Sequence, residues 1–413
     1  MKIAQVPRRF VRSHWGGTET VILETCKRLL KMGHQTEIIC PNALATSNQE
    51  VIEGVRVERT PYFYPYLGLS AEARALFDRK GGNLFSFSLL RALRKMPELD
   101  LIHLHTAKRV GGIGRHVAQK RRIPYIVSLH GGLFDVPAAE AQSWTAPAEG
   151  SYEWGKLLGW WVGSRRVLDD AAAIICVGEE ERAQTQRHYP HKKVLHLPNG
   201  VDPERFAKGD GDAFRSQHGI PHNAFVVLTV GRIDPQKNQL LLLNALPQLS
   251  SIHSAVHGLI IGPVTNQPYH EKLLAEIKDQ GIADRITLIA GLDASSQALV
   301  DAYHAADVFL LPSIHEPFGI VILEAWAAGL PVVASKVGGV PSFVVSGEDA
   351  LLFDVQDAKG LLDAFQTLVE TPEVGARIAR NGWQKARNEY SWDRVTERLV
   401  QIYEEAIGEN PLR

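Results

Sequence analysis

One stretch, Asp307 to Val340 (DVFLLPSIHEPFGIVILEAWAAGLPVVASKVGGV), does more than any other to limit how this chain can fold. Its apolar run Val308–Leu311 reads as a buried parallel strand, and a short loop carrying Pro312, His315 and Glu316 follows. Pro317 is expected to open a helix that Gly329 and Pro331 close. A second apolar strand, Pro331 to Ala334, then meets the turn Gly338-Gly339. A strand–loop–helix–strand unit of this kind belongs to an α/β protein. In open α/β sheets, ligands bind at the C-terminal edge of the strands.

Two glutamates stand in this stretch, Glu316 in the loop and Glu324 in the helix. Were the whole interval helical, they would lie roughly 12 Å apart along the axis. That exceeds the ~5 to 9.5 Å that separates the carboxylates of a glycosidase. The spacing instead suits the two ends of one long ligand whose middle sits at the helix N-terminus. That terminus offers unpaired N–H groups and a partial positive charge, which favour phosphate. A nucleotide sugar (sugar, diphosphate, ribose, base) has this layout. The competing reading is a pair of surface charges on an amphipathic helix, and the surrounding residues decide against it.

At 413 residues the chain is long enough for two domains with separate cores. Strands are expected at Lys2–Val6, Thr36–Cys40, Leu101–Leu104, Tyr125–Leu129, Ala173–Val177 and Val194–Leu197, then at Phe225–Val230, Leu259–Ile261, Ile286–Ala290, Val308–Leu311 and Val332–Ala334. Helical patterns such as Thr18–Met32, Phe85–Lys95 and Gly112–Lys120 alternate with them. This predicts an α/β architecture of two Rossmann-like domains with a cleft between them. Residues 1–205 form the first domain and 215–390 the second, with the polar, turn-rich Pro198–Phe214 as linker.

Charge is uneven. Residues 1–200 hold 28 Lys+Arg against 19 Asp+Glu, or +9; the remainder holds 17 against 27, or −10. The basic half suggests an anionic partner, such as a phosphorylated acceptor or a membrane surface, and nothing points to nucleic acid. No apolar run approaches the ~18 residues of a membrane span, and MKIAQVPRRF reads as a strand rather than a signal peptide. Three scattered cysteines, Cys26, Cys40 and Cys176, argue for a reducing cytoplasm.

Smaller motifs sit at the ends of strands. After the first strand comes PRRFVRSHWGGTE, in which Gly16 and Gly17 let backbone approach a ligand and Thr18 can cap the next helix. Arg8, Arg9 and Arg12 in the same loop suggest an anion nearby. After Phe225–Val230, Gly231 is followed by Arg232, Asp234, Pro235 and Lys237. Asp234-Pro235 reads as a helix cap and first helical residue, so Arg232 and Lys237 could both reach a diphosphate; two solvated cations is the plain alternative. His130 ends another strand and could meet a sugar or an attacking hydroxyl, or be an ordinary structural histidine. His103 and His105 share a strand face, but no third metal ligand is assignable. Asp210-Gly-Asp212 reads as a turn, and Gly112-Ile-Gly114 fails as a dinucleotide fingerprint because Val117 fills the third glycine position. Trp154, Trp160 and Trp161 are expected on a buried helix face rather than in a membrane interface. Lys108 and Arg109 could grip an anionic acceptor.

Taken in order, GGTE, SLHGG, PNGVD, GRIDPQKN and HEPFGIVILEAWAAGLPVV resemble the pattern of glycosyltransferase family 4 across nearly the whole chain. The resemblance implies the GT-B fold and retaining sugar transfer from a nucleotide diphosphate donor, without a metal or other cofactor. It implies that Glu316 faces the donor sugar, that Glu324 binds the ribose, and that the amides of Phe318, Gly319, Ile320 and Val321 contact sugar and phosphate. Arg232 and Lys237 would hold the diphosphate, Gly16-Gly17 would close over it, and His130 would line the sugar pocket. A final helix, 391–409, would cross back to the first domain. Where glycogen and starch synthases have a lysine, two residues before the glycine pair, this chain has His14, which speaks against a glucan synthase. The expected enzyme is a cytoplasmic hexosyltransferase using a UDP-sugar, with a sugar or lipid-linked acceptor and peripheral contact with the inner membrane face left open. The alternatives are a GT-B epimerase or phosphorylase and a non-catalytic nucleotide-sugar-binding module.

Overall fold

The computed structural model describes residues 1–131, 150–293 and 295–410. Two compact units make up the chain: Met1–Pro198 together with Val395–Arg413, and Asn199–Arg394.

In the first unit the strands are β1 (Lys2–Val6), β2 (Gln35–Pro41), β3 (Gln49–Ile52), β4 (Val55–Thr60), β5 (Tyr66–Leu67), β6 (Leu101–Leu104), β7 (Tyr125–Leu129), β8 (Tyr152–Glu153), β9 (Ala173–Cys176) and β10 (Val194–His196). Eight of them form one sheet in the order β10-β9-β7-β6-β1-β2-β4-β3, while β5 and β8 pair separately. All neighbours in the large sheet are parallel except β3 and β4. That hairpin closes on Glu53 and Gly54, both left-handed (φ 49° and 83°), as a two-residue turn matching strand twist requires. Strands covered on both faces must be apolar throughout, and Ile3, Ile102, Val127 and Ile174 are fully buried.

The second unit contains β11 (Phe225–Val230), β12 (Val256–Ile261), β13 (Ile286–Ile289), β14 (Val308–Leu311), β15 (Val332–Ser335) and β16 (Leu351–Phe353), all parallel. Their order, β13-β12-β11-β14-β15-β16, is the doubly wound 3-2-1-4-5-6 arrangement. Its switch point lies between β11 and β14, where successive crossovers leave in opposite directions. Gly262 permits the tight approach of the β11 and β12 ends: a Cβ there would lie 1.8 Å from the Gly231 carbonyl oxygen.

Several local expectations change. The helix after β14 starts at Ile320, not Pro317, because Gly319 is left-handed (φ 97°) and breaks the helical path. Thr18 lies inside a helix, Gly17–Lys31, whose cap is Gly16; the Glu19 carboxylate accepts from the Gly16 N–H at 3.1 Å. Asp234 caps a turn, accepting from the Lys237 N–H at 3.2 Å, and the next helix begins only at Leu240. The expected linker is folded. Its helices Pro203–Phe206 and Gly211–His218 belong to the second unit, where Phe206 packs edge-on against Tyr303 at 5.4 Å. Asp210 is the N-cap of the second of these, accepting from Ala213 N–H at 2.9 Å. Gly112 and Gly114 sit inside the buried helix Lys108–Arg121. Trp154, Trp160 and Trp161 are not buried; Trp160 is 84% exposed. The final helix, Trp392–Gly408, carries Tyr403 into the first unit, fully buried.

Candidate functional site

The second unit gathers the acidic and basic residues of the 307–340 stretch and of the β11 loop at its switch point. Chain leaving β11 turns through Arg232–Lys237, and chain leaving β14 turns through Ser313–Gly319. Gln236 stitches these loops together: its side-chain amide donates to the His315 carbonyl at 2.9 Å, and its own carbonyl accepts from the Ile314 N–H at 2.8 Å. Arg232, half exposed, is held by Asp234 at 3.2 Å and donates to the Gln236 side chain at 3.0 Å. Thr265 donates to the same Asp234 oxygen at 3.1 Å.

Across the gap the Lys237 ammonium donates to the Glu316 carboxylate at 2.5 Å, and Ser313 donates to the same oxygen at 3.2 Å. Glu316 is only 6% exposed. A buried carboxylate left unpaired would be costly, so the lysine both neutralises and aims it. Glu316 reaches this position because the turn Gly338-Gly339 packs directly beneath its backbone, with Gly339 N–H donating to the Glu316 carbonyl at 2.8 Å.

Phe318 is buried and stacks on Phe343 at 4.5 Å, anchoring the entry to the helix Ile320–Ala327. With Gly319 left-handed, the first-turn amides around Gly319, Ile320 and Val321 form the open N-terminus of that helix. One turn on, Glu324 accepts a hydrogen bond from the buried Tyr303 hydroxyl at 2.7 Å. Burial raises the Glu324 pKa above its ordinary value, opposed by that bond and by Arg205. Glu316, Lys237, Arg232, Phe318–Val321 and Glu324 thus share one sheet edge. Ser313, Gln236 and Tyr303 complete it; Ser313 acts within the same loop as Glu316, whereas Gln236 and Tyr303 act between separate loops or helices and no local sequence signal marks them.

Gly16, Gly17 and His130 lie in the first unit, at the C-terminal ends of β1 and β7. Gly132, next to the His130 turn, lies outside the described residues. His130 closes a chain of hydrogen bonds. Gln5 donates its Nε2–H to Tyr403 Oη at 3.2 Å, which leaves its Oε1 to accept from His105 Nε2 at 2.8 Å. His105 Nδ1 then accepts from His130 Nε2 at 2.9 Å. The outer nitrogen of His130, Nδ1, therefore carries a lone pair. Burial holds the His130 pKa down at about 4, so the ring is a neutral hydrogen-bond acceptor near pH 7.

Some expected ligand contacts are already used within the fold. Arg8 donates to the carbonyls of Gly82, Asp78 and Phe77 and to the Tyr64 hydroxyl, and Arg9 to those of Asp78 and Arg79. Arg109, 2% exposed, donates to the carbonyls of Gly155 and Asn83 and pairs with Glu153, so it cannot grip an acceptor. His103 is bound by Tyr403 at 2.8 Å and Ser128 at 2.7 Å. Among the described residues, no cluster of three or more His, Cys, Asp or Glu is arranged to hold a metal.

Comparison with known proteins matches residues 15–205 to the model of Glycosyltransferase Family 4 and residues 210–385 to that of Glycosyl transferases group 1. The D-inositol 3-phosphate glycosyltransferase 2 of Catenulispora acidiphila is 30% identical over 408 residues, covering 95% of this chain and 90% of that protein. The D-inositol 3-phosphate glycosyltransferase of Corynebacterium glutamicum is 29% identical, covering 95% and 92%. Among solved structures, Anabaena HepE in complex with UDP superposes with a TM-score of 0.72 at 20% identity, covering 98% of this chain and 100% of that one. Sucrose-phosphate synthase from Thermosynechococcus elongatus gives 0.73 at 21% identity, covering 98% and 99%.

Proposed function

The chain belongs to glycosyltransferase family 4, and from that premise we propose that it moves a sugar from a nucleotide diphosphate, with UDP the favoured nucleotide, to an acceptor hydroxyl with retention of configuration. The observation that carries this reading is the Lys237–Glu316 pair beside an open helix N-terminus at the switch point. Glu316 receives the sugar hydroxyls, and Glu324 receives the ribose. Arg232, Lys237 and the amides of Phe318 to Val321 receive the diphosphate. On the first unit, His130 accepts a hydrogen bond from a sugar hydroxyl, and Gly16-Gly17 present backbone to the phosphates. The names of the relatives and the basic first half both support an anionic acceptor, for which inositol 3-phosphate is the first candidate to try.

In the proposed reaction the acceptor oxygen bonds to the anomeric carbon on the face the diphosphate leaves. The bond from that carbon to the phosphate oxygen breaks, with its electron pair departing on the phosphate. The acceptor proton passes to that oxygen. Stabilising the developing negative charge is then the main demand, and fixed cations and dipoles meet it without reorganising. No metal is invoked in this scheme, and excess chelator should leave turnover unchanged.

Donor turnover in Lys237→Ala tests the reading. Loss of a charge-assisted contact to the leaving group should slow transfer by more than about tenfold, or ~1.4 kcal/mol. A rate within about threefold of the unmodified protein, under ~0.7 kcal/mol, would remove Lys237 from the mechanism.

A further inference from the structure

We propose that the first unit docks on an anionic lipid bilayer through the aromatic face built around the helix Lys156–Val162. The sequence KLLGWWV would fit a core helix, yet only Gly159 and Val162 are buried. Gly159 is turned toward Ser164 and Arg109, which would meet a Cβ at 2.9 and 3.8 Å. That orientation sends the bulky side chains outward: Trp160 is 84% exposed and Leu157 75%.

The face continues beyond the helix. Trp161 lies 6.4 Å from the half-exposed Phe87, Phe87 stacks on Phe63 at 5.9 Å, and Phe63 stacks on Trp154 at 6.0 Å. Single exposed apolar residues are ordinary on any protein, but a contiguous aromatic surface marks a binding site.

Charge identifies the occupant. A cavity of about 760 Å³ opens in this face, and Lys156, Arg165 and Arg166 line it together with Leu157, Trp160 and Trp161. The acids nearby are already neutralised, Glu153 by Arg109 and Asp170 by Arg115 and Arg166. Lys156 and Arg165 have no ion-pair partner among the described residues, so the rim presents net positive charge around an apolar centre. Indole rings at headgroup depth, flanked by cations that meet lipid phosphates, are how proteins hold to a membrane surface without crossing it. Among the described residues, no helix is long and apolar enough to cross a membrane. A second copy of the chain fits less well, because a two-fold contact through this face would set the same cations against themselves.

This inference stands on the surface alone and is independent of the transferase reading. The full chain should float with vesicles of phosphatidylcholine plus phosphatidylglycerol and bind phosphatidylcholine alone weakly, and rising salt should weaken the anionic binding. Trp160→Glu and Leu157→Glu should each weaken binding about tenfold or more, because a charge replaces an inserted apolar group. Lys156→Glu with Arg165→Glu should remove the preference for anionic lipid. All variants should keep the wild-type melting temperature and the same thermal shift with UDP, which separates loss of docking from loss of fold or of donor site. Failure of the wild-type chain to float with anionic vesicles overturns the proposal. So does equal flotation of Trp160→Glu, or a concentration-dependent dimer that Trp160→Glu dissolves.

Discussion

Glu324 shows how a single side chain can be held ready for a ligand at a cost to the fold. Its carboxyl is half-buried and bonded to Tyr303, and desolvation there raises its pKa above the ordinary 4.5. A carboxyl whose folded pKa is raised destabilises the folded state increasingly as pH rises above the unfolded value of 4.5, and fully once pH exceeds the folded pKa, because the charge is better solvated in the unfolded chain. The penalty vanishes below 4.5, where both states are neutral. Glu324→Gln keeps an oxygen for the Tyr303 hydroxyl and removes the charge. The variant should therefore melt higher than wild type at pH 8 and converge with it below pH 4.5. Its affinity for UDP should fall about tenfold, as expected for losing one hydrogen bond to a charged group. A lower melting temperature at pH 8, or an unchanged UDP affinity, would contradict the role given to Glu324. The neighbouring Glu316 is stabilised differently, by a lysine 2.5 Å away, so its charge is neutralised within the fold.

At the scale of elements, the strands were legible because parallel strands buried on both faces leave an apolar run bounded by Gly, Pro or charge. β1, β6, β7, β11 and β14 fall where those runs end. The hairpin of β3 and β4 went unread, although VIEGVRV alternates around a two-residue turn. The start of the helix after β14 was misplaced because Pro317 is a good first helical residue, and nothing local reveals that Gly319 adopts φ 97°. Trp160 and Trp161 differ from the expected buried helix face because an apolar run such as KLLGWWV reads the same whether its bulky residues meet a core or solvent. The Lys237–Glu316 contact joins residues 79 apart, so only the strand order brings them together.

The turn Gly338-Gly339 tests how tightly the elements set the site. A Cβ on Gly339 would lie 2.0 Å from the Pro317 carbonyl oxygen, a backbone atom that cannot rotate away. Gly339→Ala must push the 316–318 loop outward at a stability cost of about 1–3 kcal/mol. Displacing a substrate-positioning group by an ångström can lower turnover by ~10²-fold. Gly329→Ala is the control: its φ is 78°, but nothing lies within 4 Å of the added Cβ, so it should cost about 1 kcal/mol and leave turnover intact. Equal turnover in the two variants would show that the glycine turn does not set Glu316.

Across the whole molecule, the chain begins and ends in one unit, and a buried hydrogen-bond chain fastens the two ends. Gln5 of β1 and His103 of β6 both bind the Tyr403 hydroxyl from the final helix, and His103 continues to Ser128 of β7. Burial keeps these histidines neutral: the pKa of His103 is near 3 and that of His130 near 4, while burial, with His103 and His130 alongside, holds His105 well below 6.5. In the unfolded chain each would take up a proton near pH 6.5, whereas the folded unit resists doing so. The stability they contribute is therefore complete above pH 6.5 and is lost as pH falls toward 4. The melting temperature should drop through that window with a slope reflecting up to three protons, one from each of these histidines. His103→Gln can still bridge Tyr403 and Ser128 but cannot titrate, so it should flatten the drop by about one third. Parallel pH profiles for wild type and His103→Gln would mean that other groups govern acid unfolding, and that the seam between first strand and last helix is insensitive to protonation.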